Sequence, residues 1–399
     1  MAAFKFSDVE RKMDVENKKT KVMHLCSYLG YDGPSRGIIG QAKYTDDSNF
    51  HTTICEIKST RNERLIKELI NMGCGHLSLG INKVYDIRSI FRLARELKKN
   101  KIDILNTHNT LACWYGSIAA KLAGIPVVFT LRNLQSENYK FLFKKSFYSK
   151  PVIFIDSLFI KNSDVVVAVS ERLRKYYIKN MGIPEKKILA INNAIDLEPL
   201  QKIYDKQQIR KELGIGNEEV IIGITGDLIE RKNHVCLVEA AKIIAEKQGE
   251  IRFLIVGKGP LENTLKKRIE KYGIRKNFIF TGHVENIGPL LSIMDIFTLP
   301  SLAEGISRSL MESMAMGIPS VCSVNDGNLE AVVHGETGLI FPVNEYKTLA
   351  GHLLFLVNDR KARIEMGRKA SERAQMLFNM KDYSLRYEKL YLNLTGKNF

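Results

Sequence analysis

The sequence predicts an α/β chain with two doubly wound parallel sheets, one in each half, facing a central cleft. Three observations carry that prediction. Short apolar runs alternate with amphipathic segments at helical spacing from Lys21 onward, and the alternation stops at a polar, charged stretch near residue 200 and then restarts. The length of 399 residues suits two domains, since single cores rarely grow beyond about 250–300 residues. Near-continuous apolar strands separated by helices are what a parallel sheet covered on both faces requires.

Residues 1–20 are charged and carry at most a short amphipathic pattern, which predicts a loosely docked extension. Residues 21–199 form the predicted first domain. Its strand candidates are VMHLCSYL (Val22 to Leu29), TTICEI, HLSL, DILNTH (Asp103 to His108), VVFTLR (Val127 to Arg132), VVVAVS (Val165 to Ser170) and ILAINNAI. Helical spacing marks RNERLIKELINMG and YDIRSIFRLARELKKN between them. The polar stretch LEPLQKIYDKQQIRKELGIGNEE marks the boundary. The second domain, residues 200–378, offers VIIGITGDL, IRFLIVGKG, NFIFTGH, DIFTLPS, PSVCSV and GLIFPV. Asp359 to Phe399 has no strand signal and reads as closing helices, with residues 379–399 packing back towards the first domain. Ligands bind such sheets at the carboxyl ends of the strands.

Sixty Lys and Arg against 44 Asp and Glu give a formal charge of +16. That surplus points to an acidic partner: nucleic acid, an anionic membrane or a phosphorylated small molecule. The six cysteines form no C-x-x-C pair and read as buried thiols, so no metal centre or disulfide framework is expected. With no apolar leader and no run of membrane-spanning length, a cytoplasmic setting is expected. G-x-G-x-x-G and G-x-x-x-x-G-K-[ST] are both absent, which argues against a nicotinamide dehydrogenase and a P-loop kinase. Nucleic acid is disfavoured because no binding module is recognisable.

The most informative stretch is SLAEGISRSLMESMAMGIPSVCS, Ser301 to Ser323. A strand leads into a loop bearing Glu304 and Gly305, then a helix from about Ser307 to Met316. Glu312 lies eight residues beyond Glu304, roughly 12 Å of helical rise. That is wider than the separation of about 5 to 9.5 Å between glycosidase carboxylates, so the two suit different parts of one extended ligand. Spacing alone leaves open that one Glu starts the helix and the other is solvated. Buried in this apolar segment, Glu312 would need a partner. Arg231 and Lys232 follow a strand and Gly226 and precede a helix, where two cations and backbone N–H groups can meet a diphosphate. Alone, such a pair is usually a solvated surface feature.

Several motifs occur in order: GDLIERKN (Gly226 to Asn233), VGKGPL (Val256 to Leu261), FTGHV (Phe280 to Val284), the Glu304/Glu312 pair within S-x-x-E-G…E-x-x-A-x-G-x-P, and HGETGLIF (His334 to Phe341). In the first half DGPSR, NTH and NNAID join them. This set, over about residues 21–380, resembles the retaining, nucleotide-sugar-dependent glycosyltransferases of family 4 (glycosyl transferases group 1). The resemblance implies a GT-B fold of two Rossmann-like domains. It also implies a hexosyl donor that is a nucleotide sugar, UDP favoured over GDP, and a glycan or lipid-linked glycan acceptor in bacterial surface polysaccharide assembly. By that resemblance Glu304 contacts the donor sugar's hydroxyls and Glu312 the ribose. The backbone of Gly305, Ile306 and Ser307 meets sugar or phosphate, His283 and Val284 flank the base, and Gly33 approaches the diphosphate. His108 lies near the donor sugar, and Arg231 and Lys232 stabilise the leaving diphosphate. The catalytic set is Glu304, His108, Arg231 and Lys232.

No D-x-D occurs, so Arg231 and Lys232 are expected to replace a metal, with no cofactor. Two departures concern the donor: Asp32 stands where the family has the first of two glycines, and Ile306 follows E-G where a small or aromatic residue is common. The basic, aromatic run from Arg132 to Lys187, with Lys140, Lys144, Lys145 and Lys150 among Tyr139, Phe141, Phe143, Phe147, Tyr148 and Phe154, reads either as a helix with core aromatics or as a site docking on an anionic membrane surface. Two further readings are a nucleotide-sugar epimerase of the same fold and a catalytically degenerate sugar-nucleotide-binding protein.

Overall fold

The computed structural model describes residues 19–30, 33–59, 62–81, 86–132, 149–248 and 250–397, with the side chains of 149–153 excepted. Asp32 and the basic, aromatic positions from 133 to 148 lie outside the described residues, as does the Lys150 side chain.

Each strand candidate forms a strand. The first sheet has seven: β1 (Thr20–Cys26), β2 (Phe50–Glu56), β3 (Gly75–Ser78), β4 (Ile104–His108), β5 (Val127–Leu131), β6 (Val165–Ala168) and β7 (Ile188–Ala190). The second has six: β8 (Val220–Thr225), β9 (Ile251–Val256), β10 (Phe278–Gly282), β11 (Ile296–Leu299), β12 (Ser320–Ser323) and β13 (Gly338–Phe341). All neighbouring strands are parallel, in the orders β3-β2-β1-β4-β5-β6-β7 and β10-β9-β8-β11-β12-β13. The order reverses between β1 and β4 in one sheet and between β8 and β11 in the other. A crevice opens at such a reversal, where adjacent connections leave on opposite faces.

Boundaries differ from the sequence reading in three places. β1 begins at Thr20, one residue inside the stretch expected to be an extension. The run ILAINNAI is a strand only to Ala190, after which the chain breaks towards the cleft. The polar stretch near residue 200 holds a short 3₁₀ turn, Glu198–Gln201, and a helix, Lys206–Glu212, whose cap is the Asp205 side chain.

The C-terminal helix, Met380–Thr395, lies on the first sheet and not on the second. Its Tyr383, Tyr387 and Tyr391 recur every four residues and are buried with Val22, Ile104 and Val128. The hydroxyls of Tyr387 and Tyr391 meet polar groups of the first domain. The Tyr391 hydroxyl accepts from Asn106 Nδ2 (2.7 Å) and Gln41 Nε2 (3.2 Å), and Thr130 Oγ1 lies 3.0 Å from the Tyr387 hydroxyl. Gly40 permits the close approach: a Cβ there would stand 2.7 Å from Met380 Cε. Where the chain returns from the second domain, Ile195 N donates to Phe378 O (2.9 Å), and Ile195 and Asn379 form a parallel bridge. The two crossings between domains therefore lie side by side.

Tyr391→Phe strands two buried amides, and an unsatisfied buried donor costs about 1–3 kcal/mol. Urea unfolding should show a loss of that size, while Tyr391→Phe leaves the fold intact by circular dichroism.

Candidate functional site

The residues that follow the carboxyl ends of the strands at both reversals line one cavity of about 620 Å³ between the domains. That lies within the roughly 300–1,000 Å³ of small-molecule sites. Gly33, Arg231, Lys232, Glu304, Gly305, Ile306, Ser307, Glu312, His283 and Val284 all line it. His108 does not.

The second domain's wall is stitched by backbone contacts. Gly226 N donates to Val256 O (2.9 Å) and Gly257 N to Gly282 O (2.8 Å), which joins the ends of β8, β9 and β10. Gly257 has φ +147°, and a Cβ on it would stand 1.9 Å from Gly226 O. Glycine here serves backbone packing. Lys258 is absent from the lining; Val256 and Gly257 stand there instead. After Gly226 a 3₁₀ turn, Glu230–Lys232, ends at Asn233, which is left-handed at φ +53°. The Asn233 side chain donates to Pro300 O (3.1 Å), and Leu302 N donates to Arg231 O (2.8 Å). The loop after β8 is thereby fixed to the loop after β11.

This fixing brings three charges together. Glu304 Oε2 accepts from Arg231 Nη1 at 2.9 Å, and Glu304 Oε1 lies 2.7 Å from Lys232 Nζ. Only 7% of the Glu304 side chain is exposed. Burial pushes its carboxyl up, but the charges of Lys232 and Arg231 outweigh this and hold it below the usual carboxylate range. Glu304 therefore stays ionised at neutral pH and acts as a hydrogen-bond acceptor. Glu312 is also buried, on the helix Arg308–Ala315, and its Oε1 accepts from Arg308 Nε (2.7 Å) one turn earlier. This is the partner its apolar surroundings demand; Glu312 is not solvated. Ser307 is the N-cap of that helix, which leaves its first N–H groups directed at the cavity.

The backbone of Glu304 and Gly305 is pressed from behind by the short helix Asp326–Ala331. A Cβ on Gly327 would stand 1.5 Å from Gly305 O. From the same helix the Glu330 carboxylate accepts from the backbone N–H groups of Glu171 (3.4 Å) and Arg172 (3.3 Å), at the start of the first domain's helix Glu171–Met181.

On the first domain's wall the sequence reading requires correction. His108 ends β4 as expected, yet it lies beneath the cleft surface, 1% exposed. Its Nε2 is 2.9 Å from His24 Nδ1 and its Nδ1 is 3.4 Å from Arg132 Nη2. A guanidinium only donates, so His108 Nδ1 accepts and His108 Nε2 carries the proton shared with His24. Burial, then Arg132, holds His24 down at about 3, and the same causes hold His108 well below its ordinary value. Both rings are neutral and support Arg132, which with Asn193 lines the cavity above them. Asn193 Oδ1 accepts from Arg132 Nη1 (3.3 Å), while Asn193 Nδ2 donates across the cleft to Ile306 O (3.4 Å). Arg36 also crosses, donating to Glu285 O (2.9 Å). Sequence reasoning missed Arg132, Asn193 and Arg36 as lining residues. Their signal was position: Arg132 directly follows β5, and Asn193 falls in the NNAID motif.

Comparisons with known proteins identify the family and the fold. Residues 205–373 match the family model described as glycosyl transferases group 1. Residues 53–199 match that of glycosyltransferase family 4. The chain belongs to the family 4 glycosyltransferases. Among relatives of this glycosyltransferase, the UDP-Gal:α-D-GlcNAc-diphosphoundecaprenol α-1,3-galactosyltransferase of Escherichia coli is 28% identical over 87% of this chain and 90% of its own. The N-acetyl-α-D-glucosaminyl L-malate synthase of Bacillus anthracis is 28% identical over 78% of this chain and 80% of its own. The structure of Anabaena Alr3699/HepE in complex with UDP and glucose superposes with a TM-score of 0.81 at 18% identity, covering 94% of this chain and 100% of that one. The fold is GT-B: two Rossmann-like domains with the cleft between them.

Removing the Glu304 charge leaves Arg231 and Lys232 facing each other across a half-dry site. Glu304→Gln should cost about 3 kcal/mol of unfolding free energy, the low end for a broken buried pair because Arg231 keeps some access to water. Inorganic pyrophosphate, which can replace the lost charge, should then raise the melting temperature of the variant more than that of the wild type at low salt.

Proposed function

We propose that the protein is a retaining, metal-independent hexosyltransferase that moves a sugar from a UDP-sugar to a lipid-linked or glycan acceptor in bacterial surface polysaccharide assembly. The observation that carries this reading is the Arg231–Glu304–Lys232 cluster, set in the same cavity as Glu312 and the N-terminus of helix Arg308–Ala315. The E. coli relative is named for a UDP-sugar donor and a diphosphoundecaprenol-linked acceptor, and the Anabaena structure holds UDP, which supports uridine over guanosine.

In this reading the diphosphate lies along Arg231 and Lys232, with the first N–H groups of helix Arg308–Ala315 as further donors. Glu312 accepts from the ribose hydroxyls, while Glu304 turns one oxygen to the hydroxyls of the transferred sugar. The bond from the anomeric carbon to the phosphate oxygen breaks as the bond to the acceptor oxygen forms on the same face. The acceptor's proton passes to the departing phosphate oxygen. Arg231 and Lys232 stabilise the charge that grows on that group, the role a divalent ion plays elsewhere. His108 acts through Arg132 in this scheme, since its ring does not reach the cavity surface.

Membrane attachment has support on the face of the first sheet covered by helices Ile87–Lys99, Thr110–Ala123 and Ser149–Asn162. Phe91 and Phe154 are 62% and 64% exposed there, Ile87, Ile155 and Leu158 stand out with them, and Arg88, Arg95, Lys98, Lys121 and Lys161 are exposed among these apolar groups. Apolar tips within a basic field suit the headgroup region of an anionic bilayer. Among the described residues no helix is long and apolar enough to cross a membrane.

Two measurements test the proposal. Sugar transfer from a panel of UDP- and GDP-sugars should persist in EDTA and fall by 10² or more in Lys232→Ala and Arg231→Ala, the usual effect of losing one donor to a developing charge. A need for a divalent ion refutes metal independence, and a changed sugar released without any acceptor favours the epimerase. The protein should float with phosphatidylglycerol vesicles at low salt, and Phe91→Ser with Phe154→Ser should abolish flotation. Dimerisation through this face, seen by light scattering, would refute the membrane role.

A further inference from the structure

Among the described residues, Arg132 is a cation without a counter-charge on the first domain's wall of the cleft. Opposite it, Arg231 and Lys232 share Glu304, and Arg308 holds Glu312. Arg132 forms no ion pair among the described residues. Its hydrogen-bond partners there are neutral, the Asn193 amide and the His108 ring, and its buried Nε has none. A half-buried guanidinium whose described partners are all neutral carries its full charge to the cavity wall.

Its setting is built rather than incidental. Gly37 lies against the guanidinium, where a Cβ would stand 2.7 Å from Nη1. His108 lies beneath, itself fixed by His24, and Asn193 holds the side. Two stacked neutral rings and a glycine are spent on orienting one cation towards the cavity. Through Asn193 the guanidinium is one side chain away from the Ile306 carbonyl, in the loop that carries Glu304. An anion on Arg132 would therefore lie on the first domain's wall, facing the loop that carries Glu304.

We infer that Arg132 is an anion subsite for the acceptor, which binds the phosphate linking the acceptor sugar to its lipid within about one sugar unit of the attacking hydroxyl. This rests on the transferase reading above and names the acceptor's chemical class: a glycosyl diphosphate rather than a neutral glycan. His24 and His108 are positioning residues for that subsite.

The test uses the full chain saturated with UDP. Calorimetry compares α-D-N-acetylglucosamine carried on a citronellyl diphosphate with the same sugar on a citronellyl ether. The diphosphate should bind at least tenfold more tightly. Arg132→Gln should erase that preference while changing UDP affinity by less than threefold, and Arg132→Lys should keep part of it because a point charge remains. Should Arg132→Gln fail to fold, Arg132→Lys and Asn193→Ala, which frees one side of the guanidinium, carry the comparison. Equal binding of the two ligands, binding of neither, or a preference that survives Arg132→Gln overturns the inference. A tenfold loss of UDP affinity in Arg132→Gln also overturns it, since Arg132 would then belong to the donor. Failure of the wild type to bind UDP or turn over any UDP-sugar would instead refute the transferase reading.

Discussion

A single buried carboxylate organises the cleft. Glu304 pairs with Arg231 and Lys232 at once, and each of the three would be costly to bury alone. The arrangement fixes two loops from different strands to each other, because the cations follow β8 and the carboxylate follows β11. It also sets the electrostatics of the site. Two cations against one anion leave a net positive charge facing the cavity while no ligand is bound, and a diphosphate can share the cations without any side chain changing its protonation state. The low proton affinity of Glu304 follows from the same contacts, which suits it to accept hydrogen bonds and unsuits it to deliver a proton.

The rest of the site can be read as support for that centre. Asn233 and Leu302 hold the two loops in register, Gly257 allows the strand ends to approach, and Gly327 backs the Gly305 carbonyl. None of these residues carries charge into the cavity. Their contribution is to remove the freedom that would otherwise let long side chains such as Arg231 and Lys232 find water instead.

Much of this was legible in the sequence. Strands of a doubly covered parallel sheet are apolar throughout, so runs such as VVVAV and IRFLIV announce themselves, and the loops that follow strand ends pointed to Arg231, Lys232 and Glu304, while His283 came from the family resemblance alone. The partner of Glu312 was four residues upstream and open to inspection. The pairing of Glu304 with Arg231 was hidden, since 73 residues separate them and only the adjacency of β8 and β11 joins them. His108 misled because a strand-end position fixes where the backbone goes and not which way the ring turns. With His24 beside it on β1, the ring found a partner beneath the surface, and Arg132 took the exposed place. The tyrosines of the last helix show the converse: their four-residue spacing reveals the buried face, while the amides that meet the Tyr391 hydroxyl lie far away in the chain.

The side-by-side crossings at Ile195 and Asn379 restrict how the cleft can work. A single linker would let the domains slide, twist and swing. Two neighbouring covalent connections, tied by a backbone hydrogen bond, act as a pair of pins on one line, so the domains can open like a book but resist shear and rotation about the long axis. Points close to that line travel least. Asn193 is two residues from Ile195, which keeps the Arg132 wall and the Ile306 loop in alignment as the far rim parts. The register of the two half-sites is thus preserved by the spine of the molecule, and a ligand entering from the rim meets walls that are already aligned.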